Sequence, residues 1–158
     1  MGFVVRRRTA SWLAALTGFL SIWTLACALP PPSDQELVLQ FTRDSANYER
    51  VMAMFAVDTN IGMITSKLLW SVEQRDGNAS AAQVGITESR LAEYRRVLDS
   101  LGVMHVARWA PDGVMFTTWA AGWGNRHHRG IAWLSKPTPR IVYRRFSVIK
   151  APWYIFDD

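Results

Sequence analysis

Cysteine is almost absent from this sequence: the chain has 158 residues and a single cysteine, Cys27. A disulfide needs two thiols, so residues 28–158 cannot be cross-linked in this way even in an oxidising compartment. A lone free thiol is also a liability in an exported protein, unless a modification consumes it. The position of Cys27 is therefore the first feature to explain.

Charge is missing from a long N-terminal stretch. Three arginines occupy positions 6–8, and no charged residue follows them until Asp34. The uncharged run from Thr9 to Leu29 is 21 residues long, whereas secretory signals carry about 7–15 apolar residues and a membrane-spanning helix needs about 20. Threonine, serine and glycine dilute the run, which weakens the membrane-span interpretation. A basic start followed by such a run indicates a targeting segment.

The cysteine lies near the end of that run, in the motif TLAC. The motif resembles the lipobox of bacterial lipoproteins, in which a small residue precedes a cysteine that is lipidated and becomes the new N-terminus. Leu25 and Ala26 fit the pattern, while Thr24 stands where a leucine-like residue is usual. The resemblance implies a signal peptide over residues 1–26 and lipidation of Cys27.

Three consecutive prolines follow at positions 30–32, and they favour an extended spacer because proline cannot continue a helix. We predict that residues 27–33 form the lipid-attachment cysteine and a Pro-rich tether, and that residues 34–158 form a single domain. Two alternatives stay open. One is an ordinary signal peptide cleaved after the triplet ACA, and the other is an uncleaved anchor whose arginines stay inside the cell.

All three interpretations export residues 34–158. We therefore expect the domain in the bacterial cell envelope, on the periplasmic side and anchored to a membrane, with a secreted or N-terminally membrane-spanning protein as the alternatives. In the lipoproteins that this motif resembles, an aspartate after the cysteine is associated with retention in the inner membrane. Ala28 occupies that position here, which favours the outer membrane.

Basic charge is scarce once the targeting arginines are set aside. Three of the 18 Lys and Arg residues lie at positions 6–8, which leaves 15 against the 13 Asp and Glu residues. Binding to nucleic acid depends on a basic surface that neutralises phosphates. A net charge of +2 outside those positions therefore gives no support to a nucleic-acid partner.

Two segments have the pattern of amphipathic helices. The first is predicted over residues 34–57, because Ser33 and Glu36 form a capping box and an apolar stripe follows at helical spacing. The second follows Thr87 as its N-cap and ends before Gly102. The apolar positions are Leu37, Phe41, Tyr48, Val51, Met52 and Phe55 in the first helix, and Leu91, Tyr94, Leu98 and Leu101 in the second.

From Val103 onward the apolar residues recur with a period of two, which is typical of strands. For Ile61–Trp70 a short strand and a helical turn both stay open, and we expect residues 58–85 as a whole to be largely irregular, with Trp70 docked on the core. Helices followed by consecutive strands indicate an α+β fold: two amphipathic helices packed on one face of a small antiparallel β-meander. The aromatic residues expected in or beside the core are Trp109, Phe116, Trp119, Trp133, Phe146 and Trp153.

The order of these elements, with the final aromatic segment APWYIF, resembles small uncharacterised envelope proteins of bacteria. This resemblance implies no catalytic residues. The chain contains no GxSxG elbow, no HExxH pair and no phosphate-binding loop. We therefore expect a protein that is not an enzyme and that carries no cofactor.

The densest polar cluster is the segment GWGNRHHRG at positions 122–130, which we predict to be a glycine-rich loop between two strands. Adjacent histidines would point to opposite sides of a strand and no acidic residue lies beside them in the sequence, so we predict no metal site. Tryptophan and arginine often dominate the energy of protein interfaces. The candidate partner-binding residues are Trp123, Asn125, Arg126, His127, His128 and Arg129.

An alternative for this loop is that the tryptophan folds back on the sheet while the charges keep the loop hydrated. The sequence as a whole predicts a lipid-anchored envelope protein whose small domain binds a protein or glycan partner, as inhibitors and immunity proteins do. A structural or assembly accessory of an envelope complex is one alternative, and an uncharacterised envelope hydrolase is another.

Overall fold

A long helix is the first regular element of the described chain. The computed structural model describes residues 30–73, 78–109, 113–121, 127–136 and 145–158, and Pro31–Asp158 form one compact unit. Helix α1 spans Asp34–Val57, as the sequence pattern predicts. Its capping box is present: the Glu36 amide donates to Ser33 Oγ over 3.3 Å, and the Ser33 amide donates to Glu36 Oε2 over 2.7 Å.

Helix α2 spans Glu88–Leu101 and also begins and ends where the sequence predicts. Thr87 Oγ1 accepts a hydrogen bond from the Arg90 amide over 3.1 Å. Gly102 ends the helix with φ of 62°, a left-handed conformation that glycine adopts without a steric penalty. Neither helix in the described residues has the length and apolarity that a membrane crossing requires.

The strands form one antiparallel sheet in the order β2-β1-β3-β4-β5-β7-β6. The coarse prediction of an α+β fold with an antiparallel sheet is confirmed. The strands are β1 Ile61–Thr65, β2 Leu69–Ser71, β3 His105–Trp109, β4 Gly113–Ala121, β5 His127–Leu134, β6 Arg145–Lys150 and β7 Trp153–Asp157, and a short 3-10 helix covers Ala82–Val84.

The sheet differs from the prediction in two details. Of the two structures left open for Ile61–Trp70, the strand is the one observed, because β1 and β2 form a hairpin that extends the sheet beside β3. The strands also do not follow one another as a simple meander, because β7 lies between β5 and β6. The last hairpin therefore inserts its second strand next to β5, an arrangement that local periodicity cannot distinguish from its reverse.

The buried apolar residues form two clusters. The first combines side chains of both helices with strand residues, including ring contacts of 5.0 Å between Phe41 and Trp153 and between Tyr48 and Phe116. The second contains Met115, Ala132, Leu134, Tyr154 and Phe156. Neighbouring positions of one strand belong to different clusters, because successive side chains point to opposite faces of a sheet.

The predicted core aromatics divide between these clusters according to strand register. Phe116 and Trp153 are buried in the first cluster, and the half-buried Trp133 packs against it. Trp109 and Phe146 are half-buried against the second cluster, and Trp119 is half-buried in β4. Trp70 is also half-buried in β2 but belongs to neither cluster.

Candidate functional site

Four neighbouring strands meet at one end of the sheet, which we call the Arg129 end. It comprises Ala121 in β4, His127 and Arg129 in β5, Asp157 in β7 and Arg145 in β6. Ala121 pairs in register with His127, and Asp157 pairs with both Arg129 and Arg145. This end of the sheet is where several of the predicted site residues lie.

Arg129 joins the start of helix α1 to the sheet. Its Nε donates to the carbonyl oxygen of Pro32 over 2.5 Å, its Nη1 donates to Asp157 Oδ2 over 2.7 Å, and its Nη2 donates to Asp34 Oδ1. The second oxygen of Asp34 accepts from Arg145 over 3.0 Å. Only 6% of Arg129 is exposed, so its charge is stabilised by these internal partners.

The predicted loop is therefore shorter than the segment from Gly122 to Gly130. His127, His128 and Arg129 lie in β5, and Gly130 is buried where a Cβ atom would overlap the backbone oxygen of Phe116. The glycine at position 130 thus permits close approach of two strands.

The candidate residues have different surroundings in the structure. His127 is exposed, and His128 is half-buried and hydrogen-bonded to Asp158. Arg129 is buried and hydrogen-bonded to the partners described above. The other candidates, Trp123, Asn125, Arg126 and the lipidation candidate Cys27, lie outside the described residues. Their roles stay predictions.

The fold brings two histidines and an aspartate together. The His128 amide donates to Asp158 Oδ1 over 2.7 Å, the Asp158 amide donates to the His128 carbonyl over 3.0 Å, and His128 Nδ1 lies 3.1 Å from Asp158 Oδ1. The His105 ring centre lies 6.0 Å from that of His128. The sequence offers no signal for this cluster, because Asp158 is 30 positions from His128.

Burial changes the acid–base behaviour of this cluster. It lowers the pKa of His105 to about 4, with the neighbouring His128 acting in the same direction and Asp158 in the opposite one. His105 is therefore neutral at physiological pH. The hydroxyl of Thr117, which is opposite His105 in register, is buried without a hydrogen-bond partner.

This cluster has part of the geometry of a hydrolytic site. A carboxylate that bonds to His Nδ1 orients the ring, as in a catalytic triad. Within the described residues, however, no hydroxyl donates a hydrogen bond to the other nitrogen of His128. In the same part of the chain, no group of three or more His, Cys, Asp or Glu side chains is placed to hold a metal ion.

A separate groove of about 280 Å³ lies beside β2. Its lining includes Met63, Trp70, Val72, Ala107 and Trp109. Trp70 is expected from the sequence to dock on the core, but it lines this groove instead. The signal that was missed is the apolar residue at every second position of β3, since Ala107 and Trp109 alternate with the deeply buried Val106.

The chain was compared with known proteins in three ways. A scan against protein-family models gives no match, and searches of curated proteins and of solved structures give none either.

Proposed function

We propose that this protein is a bacterial lipoprotein, held at an envelope membrane through lipidated Cys27, whose small domain acts by binding another envelope component. The observation that carries the proposal is a spacing. The compact unit begins at Pro31, four residues after the only cysteine in the chain. A lipid on Cys27 would therefore lie a short and nearly fixed distance from the folded domain.

The local structure after the cysteine supports this arrangement. Ser33 caps helix α1, and Arg129 holds the carbonyl of Pro32 on the sheet. The last two residues of the predicted tether, Pro32 and Ser33, thus already make defined contacts with the folded domain. Lipidation would also consume the thiol of Cys27, which would otherwise be a lone free thiol in an exported protein.

Binding is proposed in preference to catalysis because the candidate loop combines tryptophan and arginine, which are frequent anchors of interfaces. The partner is a protein or glycan of the envelope, and the proposed contacts come from Trp123, Asn125 and Arg126. The neighbouring His127 is exposed at the Arg129 end of the sheet. Arg129 itself supports this end of the sheet and takes no direct part in the contact.

The proposal includes the layer arrangement, in which both helices cover one face of the sheet. Tyr48 of α1 contacts Phe116 of β4, and buried residues of α2 belong to the same cluster. The strand residues of this cluster include Val106, Phe116 and Ile131. Their neighbours along each strand face the other side of the sheet. The opposite face then contains the second cluster and the groove beside β2.

The hydrolase alternative is favoured by one observation, the hydrogen bond between His128 Nδ1 and Asp158. This pair could orient a general base. It is the weaker candidate because the described residues place no nucleophile on that base.

Replacement of Cys27 by alanine tests the lipoprotein proposal. In a bacterial host that lipidates proteins, the wild type should incorporate a labelled acyl chain and fractionate with membranes. Cys27→Ala should incorporate no label, because its N-terminal acceptor thiol is gone. Thr24→Leu is the matched control, since it restores the usual residue of the motif and should keep the label. Acyl labelling that persists in Cys27→Ala, or a wild type without label, would contradict the proposal.

A further inference from the structure

We propose that the Arg129 end of the sheet faces the membrane and lies beside the lipid headgroups, so that the opposite end of the sheet points into the periplasm. This inference rests on the proposed lipidation of Cys27. It adds the orientation of the domain and names the surface that meets the bilayer.

The first step is the place where the tether leaves the domain. The carbonyl of Pro32 and the carboxylate of Asp34 are both hydrogen-bonded to Arg129, which is 6% exposed. Asp34 is also paired with Arg145, the first residue of β6. The tether therefore leaves from the Arg129 end and cannot shift to another part of the sheet without breaking these contacts.

The second step is the reach of the tether. Five residue steps separate Cys27 from Pro32, and a fully extended chain spans at most about 3.6 Å per residue, or about 18 Å in all. Prolines in the extended polyproline form span about 3.1 Å each, which shortens this reach. A domain of this size has a radius of gyration of about 14 Å and hence a diameter of about 36 Å. The tether is about half as long as the domain is wide.

The third step is the position of the opposite end. Strand β6 runs from Arg145 to Lys150, a distance of about 17 Å at about 3.3 Å per residue. The turn between Lys150 and Trp153 is therefore at the far end of the sheet from the tether. Because the lipid is confined to the bilayer, a short tether holds the near end at the membrane and keeps the far end away from it.

The chemistry of the near end is compatible with headgroups. Arg145 has 60% of its side chain exposed and can donate to lipid phosphates, and His127 is exposed at the same end. Asp34 and Asp157 also lie at this end and are paired with Arg129, and Asp158 is bound to His128. Because basic and acidic groups are mixed in this way, the tether sets the orientation and the surface charge has a small effect.

The orientation can be measured because the mature protein would have its only native cysteine acylated. A donor fluorophore is attached to His127→Cys at the near end or to Lys150→Cys at the far end, both of which are exposed positions. Each lipidated protein is inserted into vesicles of phosphatidylethanolamine and phosphatidylglycerol that contain an acceptor on the headgroup. Energy transfer from position 127 should be several-fold greater than from position 150. Equal transfer, or greater transfer from position 150, would overturn the orientation.

A longer tether is the matched control. A Gly/Ser insertion of about 20 residues between Leu29 and Pro30 adds a root-mean-square length of about 25 Å and leaves every contact of the domain in place. The difference between the two probes should then largely disappear. A difference that survives the insertion would show that the surface orients the domain, and would overturn the part of this inference that assigns the orientation to the tether.

The mass of the N-terminal peptide separates this inference from the proposed function. An unmodified Cys27 in the membrane fraction refutes the lipoprotein proposal, and the orientation with it. An acylated Cys27 together with equal energy transfer refutes the orientation alone.

Discussion

His105 illustrates how a single side chain can respond to its surroundings in this protein. It lies on β3 beside His128 of β5, whose Nδ1 is 3.1 Å from Asp158 Oδ1. Burial and the second histidine both disfavour a proton on His105, so its pKa falls to about 4. In the unfolded chain the same residue would titrate near 6.5. Between about pH 6.5 and 4, His105 is therefore neutral in the folded protein and protonated in the unfolded chain.

The free energy of unfolding should decrease as the pH falls from 7.5 to 5. Between about pH 6.5 and 4 the unfolded state binds the His105 proton and the native state does not, so acid favours unfolding in this window. The expected loss is about 2 kcal/mol by pH 5, since one pKa unit corresponds to about 1.4 kcal/mol. Urea unfolding at a series of pH values measures it.

His105→Gln is the appropriate comparison, because it keeps a polar side chain but cannot be protonated. Its stability should vary much less between pH 7.5 and 5. Hydrogen bonds from Ser33 and from Arg50 lower the pKa values of Glu36 and Glu93, so these carboxylates titrate below pH 5. An equal pH dependence in the variant and the wild type would show that His105 is not the responsible group.

At the scale of the elements, two arginines of the sheet hold the two ends of helix α1. Arg108 on β3 donates to the carbonyl of Phe55 in the last turn and to those of Asp58 and Ile61 beyond it, where a cation also interacts favourably with the helix dipole. Arg129 on β5 sits at the opposite end, where a cation is unfavourable unless it is neutralised. Asp34 and Asp157 provide that neutralisation.

Asp34 allows a direct comparison of a buried and an exposed arginine, since Arg129 and Arg145 both bind its carboxylate. The side chain of Arg129 is 8% exposed, and that of Arg145 is 60% exposed. We expect Arg129→Met to reduce the free energy of unfolding by about 2 kcal/mol, because it leaves the Pro32 carbonyl and the Asp157 carboxylate without their hydrogen-bond donor. Arg145→Gln should cost less than about 1 kcal/mol, as exposed ion pairs do.

Chemical denaturation of the two variants at neutral pH measures this difference. Similar losses of stability in Arg129→Met and Arg145→Gln would contradict the role assigned to Arg129. Raised salt concentration provides a second comparison, because screening should weaken the Arg145 pair more than the buried Arg129 network.

At the scale of the whole molecule, the proposed tether and the predicted binding loop share one end of the sheet. The strand ends Ala121 and His127 are paired in register, and the connection between them includes Trp123 and Arg126. With the Arg129 end at the membrane, this loop would bind its partner close to the bilayer. The groove beside β2 lies near Trp109, which pairs with Gly113 at the opposite end of the sheet.

Capture of envelope components with the lipidated wild-type protein tests the loop. We expect a captured partner to be lost in both Trp123→Ala and Arg126→Ala, because each removes one of the two predicted interface anchors. Trp70→Ala in the groove serves as the control and should retain the partner. Retention in both loop variants would exclude the loop as the anchor, and loss in Trp70→Ala alone would assign binding to the groove.

The sequence was sufficient for those parts of the fold that depend on neighbours along the chain. The capping box of Ser33 and Glu36, the stop at Gly102 and the apolar stripes of both helices act within one or two helical turns. The period of two also predicted strands after Val103. For Ile61–Trp70 the sequence does not decide between a strand and a helical turn, because Gly62 and a register shift between Ile61 and Met63 interrupt the alternation of the β1–β2 hairpin.

The candidate site was less accessible to the sequence than the fold. The sequence places Arg129 in a loop because Gly122, Gly124 and Gly130 indicate one over this segment. Its role depends on Pro32 and Asp34, which are 97 and 95 positions away. No local pattern reports a contact across such a separation.

What the sequence determined by itself is the order of the elements, their local boundaries and the placement of one cysteine between an apolar run and three prolines. These features follow from short-range sterics, hydrogen bonding and hydrophobic periodicity. Only the tertiary structure decided that β7 lies between β5 and β6, that His128 meets Asp158, and that Arg129 is buried. The physical reason is that pairing energies depend on proximity in space, which the folded sheet creates between residues that are distant along the chain.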